Sequence, residues 1–233
     1  MFPGFPAEAL TFLRGLARNN DREWFQPRKE IFETKVKAPM LDLVEAINAD
    51  LAKFAPDYVS EPKKAVFRIY RDTRFSADKS PYKTHIAAVF HRRGGEKGGA
   101  PAFYFSISAK EIGIAGGVYD PAPPQLLAIR SWLAENHKTF RAIARRPEKL
   151  MGKLHGECLT RVPKGFPADH PAADLIRMKR WVYYATLDAK LAVTPKILTE
   201  IVKRFKAAAP VLEELSKALA KPRSRSFAAD LLI

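Results

Sequence analysis

The chain has one cysteine among its 233 residues, Cys158, so it closes no internal disulfide and offers no multi-thiolate metal site within one chain. No window comes near the roughly 18 consecutive apolar residues that a membrane span needs. No secretion signal is expected either, because no basic segment precedes the first apolar residues, and Glu8, Arg14 and Arg18 interrupt them. These absences lead us to expect a cytoplasmic protein without a membrane partner. The sequence also lacks a P-loop, a Gly-x-Ser-x-Gly elbow and a Rossmann glycine fingerprint. His155-Gly156-Glu157 opens like the zinc-deaminase signature, but the downstream Cys-x-x-Cys is absent. His85 and His91 fall on one strand face roughly 20 Å apart, too far to share a metal. No metal and no other cofactor is expected.

Acidic side chains are scarce, 25 against 40 Lys and Arg, for a net charge of +15. The excess is uneven. Residues 61–100 carry ten basic and four acidic side chains, residues 130–164 nine and three, and residues 196–233 eight and four, whereas residues 1–60 are near balance. Such a field attracts polyanions and also keeps a protein dissolved.

The remaining composition, 47% hydrophobic and 11% aromatic, is that of a globular chain. The first sixty residues read as helices. Ala9, Phe12, Leu13 and Leu16 recur at helical spacing, Asn19-Asn20 breaks the run, and Asp21 caps a second segment. Pro27 and Pro39 mark further starts, the last helix carrying Leu43, Val44, Ile47 and Leu51 on one face. From Ala65 the period becomes that of strands: Val66–Tyr70, His85–His91, Ala102–Ser108 and Glu111–Ala115, with Trp181–Leu187 later. Phe103, Phe105 and Ile107 alternate with Tyr104, Ser106 and Ser108, which puts one face toward a core. The expected fold is α+β, a mainly antiparallel sheet of about four to six strands (residues 65–115 plus 181–187) packed with N-terminal and C-terminal helices. Residues 1–220 read as a single domain, and residues 221–233 as a basic spacer and apolar tail.

The most unusual stretch runs from Arg68 to Lys83. If the first strand continues to Arg71, then Arg68 and Tyr70 share one face and Arg71 the other, so the arginines form no simple solvated row. An arginine that leaves water needs a carboxylate or an anionic ligand, since its charge is permanent. The pattern Arg-x-x-Arg-Asp-x-Arg-Phe-x-x-x-Lys-x-Pro-Tyr, carried by Arg68, Arg71, Asp72, Arg74, Phe75, Lys79, Pro81 and Tyr82, resembles the signature of the uncharacterised bacterial family known as domain of unknown function 2461. Trp24-Phe25, Gly116-Gly117-x-Tyr119-x-Pro121 and His170-Pro171 extend the resemblance over most of the chain. It implies a location and no reaction.

Two accounts of this stretch follow from its residue types. In one, Arg68, Arg71, Arg74, Lys79 and Lys83 donate to an anion, Tyr82 adds a hydroxyl or ring, and Asp72 orients an arginine. In the other, Arg71 or Arg74 pairs with Asp72 and the segment is a salt-bridged turn. Gly116, Gly117 and Tyr119 form a second candidate, a glycine turn between strand and helix where backbone can approach an anion. The aromatics Phe67, Tyr70, Phe75, Tyr82, Phe103 and Tyr104 are either core or a stacking platform for single-stranded nucleic acid. The leading expectation is a binding site for an anionic, phosphate-bearing ligand, nucleic acid included. An enzyme acting on that ligand with Asp72, Tyr82 or His85 in proton transfer is one alternative. A protein-interaction module using the C-terminal tail is another.

Overall fold

Ala9, Phe12, Leu13 and Leu16 form the buried face of α1 (Ala7–Arg18) in a computed structural model that describes residues 2–95 and 99–220. The tail 221–233 and Glu96, Lys97 and Gly98 of the expected hairpin loop lie outside the described residues. Asn19 ends α1, and the Asp21 carboxylate then accepts the Trp24 N–H at 2.7 Å to open α2 (Arg22–Phe25), as its residue type leads one to expect. After a 3-10 turn (Gln26–Arg28) and α3 (Lys29–Ile31), the chain widens into a π-helical turn, Phe32–Lys37, before α4 (Ala38–Phe54). Pro39 stands at the start of α4 and has no N–H for the preceding turn, a disruption that the wider turn accommodates. Leu43, Val44, Ile47 and Leu51 are fully buried. A short α5 (Pro62–Ala65) leads to the arginine-rich stretch.

The strands β1 (His85–His91), β2 (Ala102–Ser108), β3 (Glu111–Val118) and β4 (Trp181–Asp188) form one antiparallel sheet in that order. The fold is thus α+β, with strand pairing at the low end of the expected range. In β2, Phe103, Phe105 and Ile107 are buried and Tyr104, Ser106 and Ser108 half-buried. Val66–Tyr70, expected as a strand, is instead tied by isolated antiparallel bridges, Val66 to Ala88 and Tyr70 to Tyr82. Pro81 explains part of this: its carbonyl accepts the Arg71 N–H at 2.9 Å, but it has no N–H to return, so the ladder stops. The helices α6 (Pro123–Met151, kinked at Asn136), α7 (Ala173–Ile176) and α8 (Lys196–Ala220) complete the α-helices of the described residues.

The chain divides into two compact units that interleave in sequence. The first holds Met1–Phe90, Phe103–Ala115 and Ala185–Phe205, and the second His91–Ala102, Gly116–Tyr184 and the chain from Lys206 onward. Among the described residues the boundaries of this division fall inside β1, β2, β3, β4 and α8. In the first unit Phe103 stacks on Phe205 at 4.7 Å, and Phe90 meets Phe205 edge-on at 5.8 Å. In the second, the buried Trp181 indole donates to the Leu175 carbonyl at 3.2 Å, and the Tyr183 hydroxyl to that of Ala144 at 2.6 Å. Partnered buried donors of this kind avoid a desolvation penalty of ~1–3 kcal/mol each.

Candidate functional site

All of Arg68–Lys83 lies in the first unit, and side-chain amides fix the backbone on both sides of it. The Asn48 amide donates to the Ser60 carbonyl at 2.6 Å and its oxygen accepts the Ser60 N–H at 3.1 Å, which pins the turn before α5. Asn20 does the same for Tyr82: its amide donates to the Tyr82 carbonyl at 2.9 Å and its oxygen accepts the Tyr82 N–H at 3.1 Å. The Tyr82 ring is buried, stacked on Phe25 at 4.1 Å and tilted against Tyr70 at 5.4 Å. Burial pushes its phenol up from the ordinary value. Tyr82 therefore anchors the stretch, and Ile69 beside it is buried too, leaving Arg68 and Tyr70 exposed.

Between these anchors, residues 72–80 form a loop bonded chiefly to itself. The Asp72 carboxylate takes a two-point fork from Arg74, at 3.0 Å from Nε and 2.7 Å from a terminal nitrogen, and also accepts the Arg74 N–H. Arg71 is ion-paired with Asp78, whose other oxygen accepts the Ser80 hydroxyl at 2.6 Å and N–H at 2.9 Å. Lys79 donates to the Thr73 carbonyl at 3.0 Å. Arg74 holds the Asp72 carboxyl below its ordinary range, and the Ser80 hydroxyl followed by Arg71 lowers Asp78 as well. Four of the expected ligand-binding residues, Arg71, Asp72, Arg74 and Lys79, thus hold the loop together. At its tip Phe75 is 95% exposed, with the Arg74 guanidinium over its ring at 5.7 Å.

Arg68 and Lys83 differ. Among the described residues neither has a carboxylate within salt-bridge distance. Lys83 Nζ lies 4.8 Å over the Phe67 ring, and both burial and the nearby Arg68 charge push its ammonium down. Burial, then Lys83, pushes the half-buried His85 imidazole down in turn, so it stays neutral at pH 7. Arg68 opens onto a groove of about 620 Å³ whose lining includes Ile69, Tyr70, Phe67, Phe25, Phe32, Lys29, Lys37, Lys63 and Glu33. Glu33 bonds Lys37 at 2.6 Å, so the groove's one carboxylate is engaged and the uncompensated charge is positive. Its volume is within the ordinary range for small-molecule sites.

Sequence reasoning missed the α3 and π-turn wall of this groove. Lys29, Glu33 and Lys37 recur every four residues, a charged helical stripe that stands beside Phe25 and Phe32. The π turn itself has no sequence signature, although such turns occur frequently at functional sites.

Gly116 and Gly117 do not form the expected turn; they are the last residues but one of β3. Gly117 has φ 145°, and a Cβ there would stand 2.0 Å from the Trp181 carbonyl oxygen. The close approach this glycine allows is to β4. Tyr119 is exposed, with the Arg180 guanidinium 4.7 Å above its ring. These three residues belong to the second unit. Among the described residues no three His, Cys, Asp or Glu side chains converge as a metal would require, and no helix is long and apolar enough to cross a membrane.

Comparison with known proteins gives one family model, described as Conserved hypothetical protein (DUF2461), which matches residues 8–213. No curated protein matches the chain.

Proposed function

The chain belongs to that family, whose description carries no activity, and from the site itself we propose that the protein binds a phosphate-bearing ligand at the groove beside Arg68. The observation that carries this reading is the pairing of Arg68 with Lys83, two cations in each other's field with no carboxylate in salt-bridge reach among the described residues. Asp72 lies within the field of Arg68 but is forked by Arg74. A guanidinium cannot shed its charge, so a bound anion would relieve the repulsion, and a phosphate offers several acceptors to such donors at once. Lys29 and Lys63 on the groove wall add to the same field.

Of the groups that sequence reasoning offers for proton transfer, Asp72 is held ionised and bonded, Tyr82 is buried as a neutral phenol, and His85 is a neutral imidazole beside Lys83. A turnover reading therefore rests on His85 as base.

Isothermal titration with inorganic pyrophosphate tests the binding reading. Arg68→Ala and Lys83→Ala are each expected to weaken binding by roughly 10- to 100-fold, the worth of a hydrogen bond to a charged group. Arg74→Ala, which loosens the loop only, is expected to bind as wild type does. Folded Arg68→Ala protein with wild-type affinity overturns the proposal.

A further inference from the structure

On the reading that the Arg68 groove takes a phosphate-bearing ligand, we infer that this ligand is single-stranded nucleic acid, its phosphates at Arg68 and Lys83 and its unpaired bases stacked on Tyr70 and Phe75. Most aromatic residues of the first unit are buried or half-buried, and three are exposed. Tyr82 and Phe103 are core, at 1% and 0% exposure, while Phe67, Tyr70 and Phe75 stand at 42%, 46% and 95%. Phe75 gives up nearly all the burial that a phenylalanine contributes to folding, yet its loop is fixed by the Arg74–Asp72 fork, the Arg71–Asp78 pair and the Lys79 bond to Thr73. A loop that spends its polar groups on its own order and leaves one ring in solvent is pre-organised for a partner. One face of that ring lies under Arg74, which leaves the other for a planar group.

Two features select a polymer over a small phosphate ester. Phe75 and Lys83 are not part of the groove lining, whereas Tyr70 and Arg68 are, so rings and cations continue outside the cavity that a mononucleotide fills. Rings interleaved with unpaired cations also form the platform on which successive bases stack while the backbone follows positive charge. Bases in a duplex have their faces occupied, so exposed rings select unpaired strands. The net charge of +15 supplies the long-range attraction.

The test uses the full chain, a labelled oligothymidylate of about 12 nucleotides, and fluorescence anisotropy at several salt concentrations. The oligonucleotide is expected to bind far more tightly than thymidine monophosphate, with a log–log salt slope steeper than about −1.4, the value for two phosphates on a single strand. Arg68→Ala weakens both probes. Phe75→Ala, a change at an exposed position, weakens the oligonucleotide by roughly 5- to 100-fold and leaves the monophosphate unchanged. Three results overturn the inference while the phosphate site stands: oligonucleotide and monophosphate of equal affinity, a duplex bound as tightly as the single strand, or a Phe75→Ala protein that keeps wild-type oligonucleotide affinity, which assigns the ring to a protein contact. If neither probe nor pyrophosphate binds, both readings fall.

Discussion

Neighbouring charges of the same sign make Lys83 and His85 useful reporters at the scale of single residues. His85 is pushed below its usual value of 6.5 by burial and then by Lys83. For a base with a depressed folded-state value, the unfolded chain takes up the proton first as pH falls. The stabilising share of a neutral His85 is therefore complete above about 6.5 and is lost below it. Urea unfolding of wild type and His85→Gln should show wild type losing ground to the variant between pH 7.5 and pH 5.5. Lys83→Met removes the second cause, so an NMR titration should find His85 raised in that variant. An unchanged His85 titration would mean that Lys83 does not act on it. The same electrostatics separates Arg68 and Lys83 from Arg71 and Arg74, which have carboxylates of their own. Residue types alone could not make that separation, because pairing within residues 72–80 depends on how the loop closes.

Among the elements, the self-bonded loop has an exposed framework. Isolated exposed ion pairs contribute ~0–1 kcal/mol, so Asp78→Asn should barely move the melting temperature. It does remove the Arg71 partner and weaken the hold on Ser80. Trypsin cleavage after Arg74 and Lys79 in the folded protein should therefore quicken in Asp78→Asn, and an unaltered cleavage rate would show that the loop is ordered by something else. Regular elements were the legible ones. Alternation in Phe103–Ser108 and helical spacing in Leu43–Leu51 reach the structure intact, since burial on one face enforces each period. Three features were not legible, for distinct reasons. Val66–Tyr70 has strand composition, but Pro81 interrupts its ladder. Gly116-Gly117 has turn composition, but Gly117 serves a close approach to Trp181 across the sheet. The groove wall from Lys29 to Lys37 includes a turn type that periodicity does not encode. The division of labour within the motif was not legible: Tyr82 and Asn20 anchor, Asp72 and Asp78 brace, and Arg68 faces the groove.

For the molecule as a whole, sequence continuity and spatial grouping disagree. Each compact unit draws on three separate segments, and the boundaries between them fall inside strands and inside α8. The first unit carries the whole Arg68–Lys83 stretch, but its core includes Phe205, fully buried against Phe103 and Phe90 and more than a hundred residues further along the chain. Removing a buried phenylalanine costs ~3–5 kcal/mol, a large part of the ~5–15 kcal/mol that holds an ordinary domain together. A fragment ending at Ala115 retains every residue of the proposed site and lacks Ala185–Phe205. It should show no cooperative thermal transition by circular dichroism and no pyrophosphate binding. In the full chain, Phe205→Ala should lower stability by the amount above without touching a groove residue. A cooperative melt of the fragment would mean that the first ninety residues and β2–β3 carry a sufficient core alone, and that the late segment packs onto a unit already folded.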